Sequence, residues 1–255
     1  RNVSTKASTG SAGSKGMGKA AYFAASYLHT VFVTSKSHKT RQTLFQGISR
    51  LSTHRHNGEL KNYKGYYSET FRPVLDSWKI PEPFKRSETG TSCFVLGLWP
   101  EANRQEIMEK ELLNNFWLAI LEGDLVVEIS GKEFNRINLY SEIKRLFPEV
   151  TESGHYNTNG NPRPYIEAYL GKDCTMEPYS SYISLLGHVK FILAKNENFQ
   201  GRISNFRKSK MLIYKDNTKI PKGYCGVFVC EDPGGNEILK KLENATHTEW
   251  RSGNW

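Results

Sequence analysis

The chain has 255 residues, enough for one large domain or two small ones with a hydrophobic core. Its composition is that of a globular protein, with 38% hydrophobic and 24% charged residues, and its apolar runs are too short to span a bilayer. The formal net charge of +9 favours polyanionic partners such as nucleotides or nucleic acids. No secretory signal peptide is visible, and we therefore expect a cytoplasmic protein without membrane contact.

The first half of the chain is predicted to alternate helices with antiparallel strands. Helix formers, β-branched runs and alternating apolar residues place a helix at 19–29, hairpin strands at 30–36 and 44–53, a strand at 90–98 and a helix at 102–122. Gly123 is predicted to end that last helix as a C-terminal cap. Residues 54–89 contain His, Gly, Pro and Tyr without periodicity, which indicates an irregular insertion.

The second half follows a different pattern, richer in strand. We predict a helix near 139–147, a polar loop over 152–165, and then a series of strands with one last short helix. The strands are expected at 182–195, 211–215 and 224–231, and the helix at 234–243. The mixture lacks the regular alternation of a doubly wound fold, so an α+β class with two units is expected.

A glycine-rich segment near the start of the chain has the spacing of a phosphate-binding loop. Gly13, Gly16 and Gly18 follow a G-x-x-G-x-G pattern, and Lys19 with a run of helix formers comes next. Backbone amides freed by glycine and the start of a helix are both suited to binding an anion. A Walker A loop is a poor match, because Ala20 replaces the Mg²⁺-binding hydroxyl and no buried strand precedes the loop. A flexible linker is the alternative that the glycines alone leave open.

Three separated stretches together resemble one family of nucleotide-binding proteins. The segments "GSKGMGKAAYFAAS" and "TVFVTSK", followed by "GTSCFVL", resemble the second half of the GHKL ATPase domain. That domain is shared by DNA gyrase B, MutL-type mismatch-repair proteins, heat-shock chaperones and histidine kinases. The tail from "RKSKMLIY" to "ATHTEW" is similar to bacterial members of the family, so the resemblance covers nearly the whole chain.

The resemblance implies a fold with two parts and an ATP-driven activity. Residues 1–130 would be the C-terminal part of a Bergerat-type α/β sandwich, and residues 131–255 a smaller transducer-like α/β domain. ATP and Mg²⁺ would be the ligands, with lid closure driving domain rearrangement, homodimerisation or association with a partner subunit. A DNA-related or defence process is the setting that we expect.

The resemblance also assigns roles to individual residues. Gly13, Gly16 and Gly18 would be the glycines of the ATP lid, and Thr91, from the Gly-Thr pair, would lie near the adenine. Further lid contacts would come from Ser14, Lys15, Met17 and Lys19. In transducer domains of the family a lysine reaches the γ-phosphate, a role for which Lys208 is the first candidate and Lys210 the second. An ordinary basic turn before an edge strand is the alternative for both.

Two motifs of the family are missing from the sequence. The helix with the general-base Glu and Mg²⁺-binding Asn precedes the lid in the family, as does the D-x-G-x-G adenine motif, and the chain begins at the lid. We therefore expect ATP turnover in an intact parent protein and an inactive chain on its own. A degenerate ATPase that serves as a protein-interaction scaffold is a second interpretation.

A third interpretation is a module that binds nucleic acid without catalysis. The stretch "KNYKGYYSETFRP", residues 61–73, interleaves basic and aromatic residues that can neutralise phosphates and stack on bases. Its tyrosines are equally suited to fixing a long loop on the domain. The histidine pair at His54 and His56 has no acidic or cysteine companion at ligand spacing, so loop histidines are expected rather than a metal site. Four cysteines without C-x-x-C spacing predict reduced thiols.

Overall fold

A computed structural model describes residues 18–68, 72–148, 161–216, 220–244 and 248–251 of the chain. Its contacts divide the chain into two compact units: an N-terminal unit with described residues 18–102, and a C-terminal unit with those from 103 to 251. Both units combine helices with mostly antiparallel sheets, which confirms the α+β class. The domain boundary predicted after residue 130 stays a prediction.

The N-terminal unit is built on a four-stranded antiparallel sheet. Its elements are α1 (Gly18–Ala24), β1 (Ser26–Lys36), β2 (Thr43–Arg50), β3 (His54–His56), β4 (Glu59–Lys61), β5 (Lys64–Tyr67) and β6 (Gly90–Leu98). The sheet order is β5-β2-β1-β6, and β3 and β4 form a separate two-stranded hairpin. Two short 3₁₀ helices, Ser77–Lys79 and Glu82–Phe84, lie between β5 and β6.

The core of the N-terminal unit is small and aromatic. It is formed on one face of the sheet by Phe32, Phe45, Val74, Ile80 and Phe84. Phe45 and Val74 exchange two backbone hydrogen bonds of 2.9 and 2.7 Å, and the hydroxyl of Thr34 donates to the carbonyl oxygen of Phe84 at 2.6 Å. These bonds fix the irregular segment between β5 and β6 to the sheet.

The first predicted helix is shorter than its sequence indicates. Residues 26–29 belong to β1 rather than to the predicted helix, so the prediction was wrong for that stretch. The hydroxyl of Ser26 accepts from the Thr30 amide at 3.0 Å and donates to the Leu96 carbonyl at 2.5 Å. These bonds hold an irregularity in the pairing of β1 with β6, where His29 has a φ of 47°.

The described residues of the C-terminal unit form a five-stranded sheet and four helices. Its elements are α2 (Arg104–Leu121), β7 (Val127–Ile129), β8 (Lys132–Phe134), α3 (Leu139–Leu146), α4 (Arg163–Leu170), β9 (Thr175–Ile183), β10 (Gly187–Lys195), β11 (Arg202–Arg207), β12 (Leu212–Asp216), β13 (Tyr224–Cys230) and α5 (Pro233–Leu242). The sheet order is β12-β11-β13-β10-β9, and only the β11–β13 pair is parallel among these strands.

Helices cover both faces of this sheet. The larger core joins α2, α3 and α4 to the sheet, and Trp117 of α2 makes an edge-to-face contact with Phe206 at 5.2 Å between ring centroids. A smaller cluster around Leu239 of α5 covers Val189 and Cys230, which alternate to the opposite face. Gly123 follows α2 with a φ of 83°, and so the predicted C-terminal cap is confirmed.

The strand pattern of this unit differs from the prediction in two places. The strand predicted over 182–195 is a hairpin, β9 and β10, that turns at Leu185 with a φ of 76°. The polar loop predicted over 152–165 contains the beginning of α4 at Arg163. β11 was not predicted, whereas the helices predicted near 139–147 and at 234–243 correspond to α3 and α5.

Candidate functional site

The predicted ATP lid lies mostly outside the described residues. That holds for Gly13, Ser14, Lys15, Gly16 and Met17. Gly18 and Lys19 are the first two residues of α1. Because α1 has only seven residues, few peptide dipoles are aligned along it. The dipole of α1 therefore contributes little to the binding of an anion.

Thr91 lies at the start of β6, on an exposed part of the sheet. Gly90 and Thr91 are paired with Lys36 and Ser35 of β1, and the Thr91 and Ser35 hydroxyl oxygens are 3.0 Å apart. Gly90 has a φ of 126°, and a Cβ added there would lie 2.5 Å from the Arg86 guanidinium. The backbone conformation therefore favours glycine before Thr91, and a side chain there would displace the end of Arg86.

The hydroxyl pair adjoins an apolar strip on the same face of the sheet. Strand alternation puts Val33 and Cys93 on the face that carries Ser35 and Thr91. The Cys93 side chain is exposed and Val33 is partly exposed. This face thus offers two hydroxyl groups beside uncovered apolar surface.

Thr91 and the end of α1 lie toward opposite ends of β1. The Arg50 guanidinium stacks 4.2 Å above the ring of Phe23 in α1, and Ser49, the preceding residue, pairs with Thr30. Thr91 pairs with Ser35, five residues further along β1, which corresponds to about 17 Å. A ligand that contacted both regions would have to be elongated.

The basic loop that contains Lys208 is the turn between β11 and β12. Arg207 is buried, and its guanidinium donates to Glu243 at 2.9 Å and to Asn236 at 3.4 Å. Lys208 is exposed and makes no ion pair or hydrogen bond within the part of the chain that the structure describes. The buried ion pair next to Lys208 therefore anchors the turn while leaving the Lys208 ammonium in solvent.

The Lys210 ammonium forms ion pairs with carboxylates of the C-terminal unit, to which it belongs. Its ammonium binds Glu122, Asp124 at 2.5 Å and Glu231 at 3.4 Å. Burial acts to lower the pKa of Lys210, but the hydrogen bonds to Asp124 and Glu122 outweigh it and hold the pKa above its ordinary value. Of the two lysine candidates, Lys208 is the one with an available charge. It belongs to the C-terminal unit, whereas Gly18, Lys19 and Thr91 belong to the N-terminal unit.

Lys215 is a partly buried lysine that the sequence patterns do not reveal. Its ammonium donates to the Asn114 side-chain oxygen at 2.7 Å and lies 5.3 Å from the ring centre of Tyr165. Burial, reinforced by the charge of Arg202, lowers the pKa of Lys215 to about 8, and Glu111 opposes this shift. Such perturbed groups are frequent at functional sites, although structural lysines also show them.

An aromatic groove opens at the free edge of the N-terminal sheet, where β5 ends. Its volume is 470 Å³, and it is lined by Tyr66, Tyr67, Ser68, Val74 and Lys79. The adjoining Trp78 is 76% exposed, and the Lys79 ammonium lies 4.9 Å from the centre of its ring. At the start of β5, the Lys64 ammonium is 5.3 Å from the ring centre of Tyr63.

The positive charge of the protein is concentrated in its first 102 residues. They contain 15 Lys and Arg against 6 Asp and Glu, whereas residues 103–255 contain 20 of each. The groove and Thr91 therefore belong to the part of the chain that carries the entire net charge. The overall charge of +9 therefore comes from the first 102 residues.

The described residues contain no group of three or more His, Cys, Asp and Glu side chains placed to hold a metal ion. The exposed His54 ring hydrogen-bonds the Ser52 carbonyl through Nδ1, and all four cysteines are free. Within the described ranges, every helix is too short or too polar to cross a membrane. The chain matches no protein-family model, and no curated protein matches it.

Proposed function

We propose that this protein is an ATP-binding switch of the GHKL type, in which nucleotide binding closes the lid and changes domain arrangement or dimerisation. One observation carries the proposal: β6, which begins with the Gly-Thr pair, lies beside β1, the strand that follows the glycine segment and α1. This is the order of elements that the resemblance to the second half of a Bergerat-type domain implies.

The Thr91 end of the sheet has the chemistry to hold adenine. Adenine presents a polar edge and two apolar faces, and the hydroxyls of Thr91 and Ser35 can hydrogen-bond that edge. Val33 and Cys93, on the same face, can contact the ring. Sites for small ligands commonly combine such an apolar surface with a few polar groups that fix orientation.

The phosphates would extend toward the glycine segment. Backbone amides of Gly13, Gly16 and Gly18 would surround the phosphate oxygens, and Lys15 and Lys19 would add positive charge. Lys208 would stabilise the γ-phosphate charge on closure, since its ammonium is exposed on a turn that the Arg207–Glu243 pair anchors.

The described residues do not fit a Mg²⁺ site, because no three of their Asp, Glu, His and Cys side chains are placed to hold a metal ion, and the carboxylates grouped at Glu122, Asp124 and Glu231 are bound to the Lys210 ammonium. We therefore assign no metal-dependent step to them. A general-base Glu is also missing from the motifs of the sequence, so what we propose for this chain is binding and closure. Turnover is proposed for an intact protein that supplies the missing motifs.

Calorimetric titration with ATP–Mg²⁺ tests the proposal. Replacing the Thr91 hydroxyl by a methyl group in Thr91→Val should weaken ATP binding by about 2- to 12-fold, the usual worth of one hydrogen bond. Thr175→Val, on an exposed position of β9, is the matched control and should leave affinity unchanged. Absence of nucleotide binding by the intact protein, or equal affinities for the two variants, would contradict the proposal.

The role of Lys208 needs a separate comparison. Lys208→Ala should abolish turnover in the intact protein, whereas Lys208→Arg, which keeps the charge, should restore part of it. Lys241→Ala removes an exposed lysine from α5 and should have no effect. Full turnover in Lys208→Ala would remove Lys208 from the mechanism without affecting the assignment of Thr91.

A further inference from the structure

We propose that the aromatic groove and the side chains that flank it, Tyr63, Lys64 and Trp78, bind single-stranded nucleic acid. This surface lies at the free edge of β5, whereas β6, which carries Thr91, forms the opposite edge of the same sheet. The inference is independent of ATP binding, because it uses none of the residues assigned to the nucleotide.

The aromatic side chains at this edge are exposed beyond what packing explains. Tyr67 does contribute to the core, with its ring 5.8 Å from Phe32 and 5.6 Å from Phe45. Trp78 is 76% exposed, and Tyr63 and Tyr66 are 47% and 43% exposed. Tyr67 also keeps 47% of its side chain exposed, and Trp78 is the most exposed ring of the four. A cluster of large exposed aromatic side chains indicates a binding surface.

Cations accompany these rings in an arrangement suited to a polyanion with aromatic bases. Lys79 and Lys64 extend over the rings of Trp78 and Tyr63, so each aromatic face has a positive charge beside it. Lys79 is also 3.0 Å from Asp76, an exposed pair that contributes little to stability. Bases can stack on the rings while the lysines neutralise neighbouring phosphates.

The shape of the site favours a single strand over a duplex. Stacking on Trp78, Tyr63 or Tyr66 requires a base whose face is free, and duplex bases have both faces covered by their neighbours. The groove of 470 Å³ is concave and partly aromatic, whereas phosphate binding alone needs only surface charge. An acidic peptide would satisfy the lysines but would leave the aromatic faces unused.

The test is fluorescence anisotropy with labelled oligo-dT and oligo-rU across a salt series. We expect both strands to bind, more weakly as salt rises, and the comparison to show which sugar is preferred. Trp78→Ala should reduce affinity by about 5- to 100-fold, because base stacking on one ring is lost. Trp78→Phe should retain most of it. Tyr179→Ala removes a 62% exposed aromatic side chain from β9 and should change nothing.

A second pair of variants tests the charge. Lys79→Gln should lower the steepness of the salt dependence by about 0.7 in a plot of log affinity against log salt, one phosphate contact on a single strand. Lys241→Gln should leave the slope unchanged, as its side chain lies in the electrically balanced half of the chain. Circular dichroism of each variant establishes that its fold is intact.

Four results would overturn the inference. They are absence of oligonucleotide binding, equal affinities of Trp78→Ala and Tyr179→Ala, duplex binding as tight as that of single strands, and displacement of the oligonucleotide by poly-glutamate with the same dependence on Trp78. The last result would identify an acidic protein as the partner. None of them bears on ATP affinity, which the Thr91 variants measure.

Discussion

The two units differ in what their side chains are used for. In the C-terminal unit 21 buried residues form the main cluster, helices cover both faces of the sheet, and acidic and basic residues are balanced. Among the described residues of the N-terminal unit, three buried ones form its cluster, and the unit lies in the part of the chain with 15 basic and 6 acidic residues. Both units leave some aromatic side chains exposed, such as Trp78 in one and Tyr179 in the other, but the C-terminal unit has by far the larger buried cluster.

The largest expected contrast between the units comes from two tryptophans. Trp117→Ala should lower the free energy of unfolding by about 3–5 kcal/mol, because the ring is fully buried and contacts Phe206. Trp78→Ala should change it by less than about 0.5 kcal/mol, since its ring is exposed. Denaturant unfolding measures both, and similar losses would show that the exposed and buried aromatic side chains do not have separate roles.

Two glutamates allow a second comparison, between a buried and an exposed ion pair. Glu243→Gln should lower the free energy of unfolding by about 3 kcal/mol, because it leaves the buried Arg207 guanidinium without a counter-charge. Glu59→Gln, which breaks an exposed pair with Lys61, should cost between 0 and about 1 kcal/mol. Thermal and denaturant unfolding measure both changes in the free energy of unfolding. An equal loss for Glu59→Gln and Glu243→Gln would contradict the contrast between the exposed and the buried ion pair.

Lys215 gives the C-terminal unit a pH dependence of known sign. The unfolded chain keeps the Lys215 proton up to about pH 10.5, whereas the folded protein releases it near pH 8. The unfolded state therefore binds more protons between these values, and the free energy of unfolding rises with pH across the window. Relative to Lys215→Met, the wild-type protein should gain about 3 kcal/mol from pH 8 to 10.5. A constant difference between them would contradict the lowered pKa.

Periodicity predicts the elements whose side chains face a core. α2, α3, α5, β2 and β6 appear close to their predicted positions, and Gly123 ends α2 as a glycine cap should. The helix formers at 19–29 mislead because the Ser26 hydroxyl accepts a hydrogen bond from the Thr30 amide and donates one to the carbonyl of Leu96, a residue far along the chain. These bonds stabilise strand instead. The β9–β10 turn at Leu185 has no favoured turn residue at that position, so the sequence reads as one strand.

Site residues, too, can be predicted where local sequence sets their role and cannot where long-range contacts do. The Gly-Thr pair could be assigned to the start of a strand, whereas its partner Ser35 depends on long-range register. The composition of stretch 61–73 is visible in the sequence, but only the tertiary structure shows that the Tyr67 ring contacts Phe32 and Phe45 while 47% of the side chain stays exposed. Burial of Lys215 depends on helices that the strand pattern does not contain, and so no local signal marks it.

Hydrogen exchange of the intact protein with and without ATP–Mg²⁺ tests the central claim most directly. If nucleotide binds along β1 and β6, amides of residues 30–36 and 90–96 should exchange more slowly in its presence, together with those of the glycine segment. Strands β9 and β10 should exchange at the same rate in both conditions. Unchanged exchange in β1 and β6 at saturating ATP, with or without protection elsewhere, would contradict the assignment of nucleotide binding to the N-terminal unit.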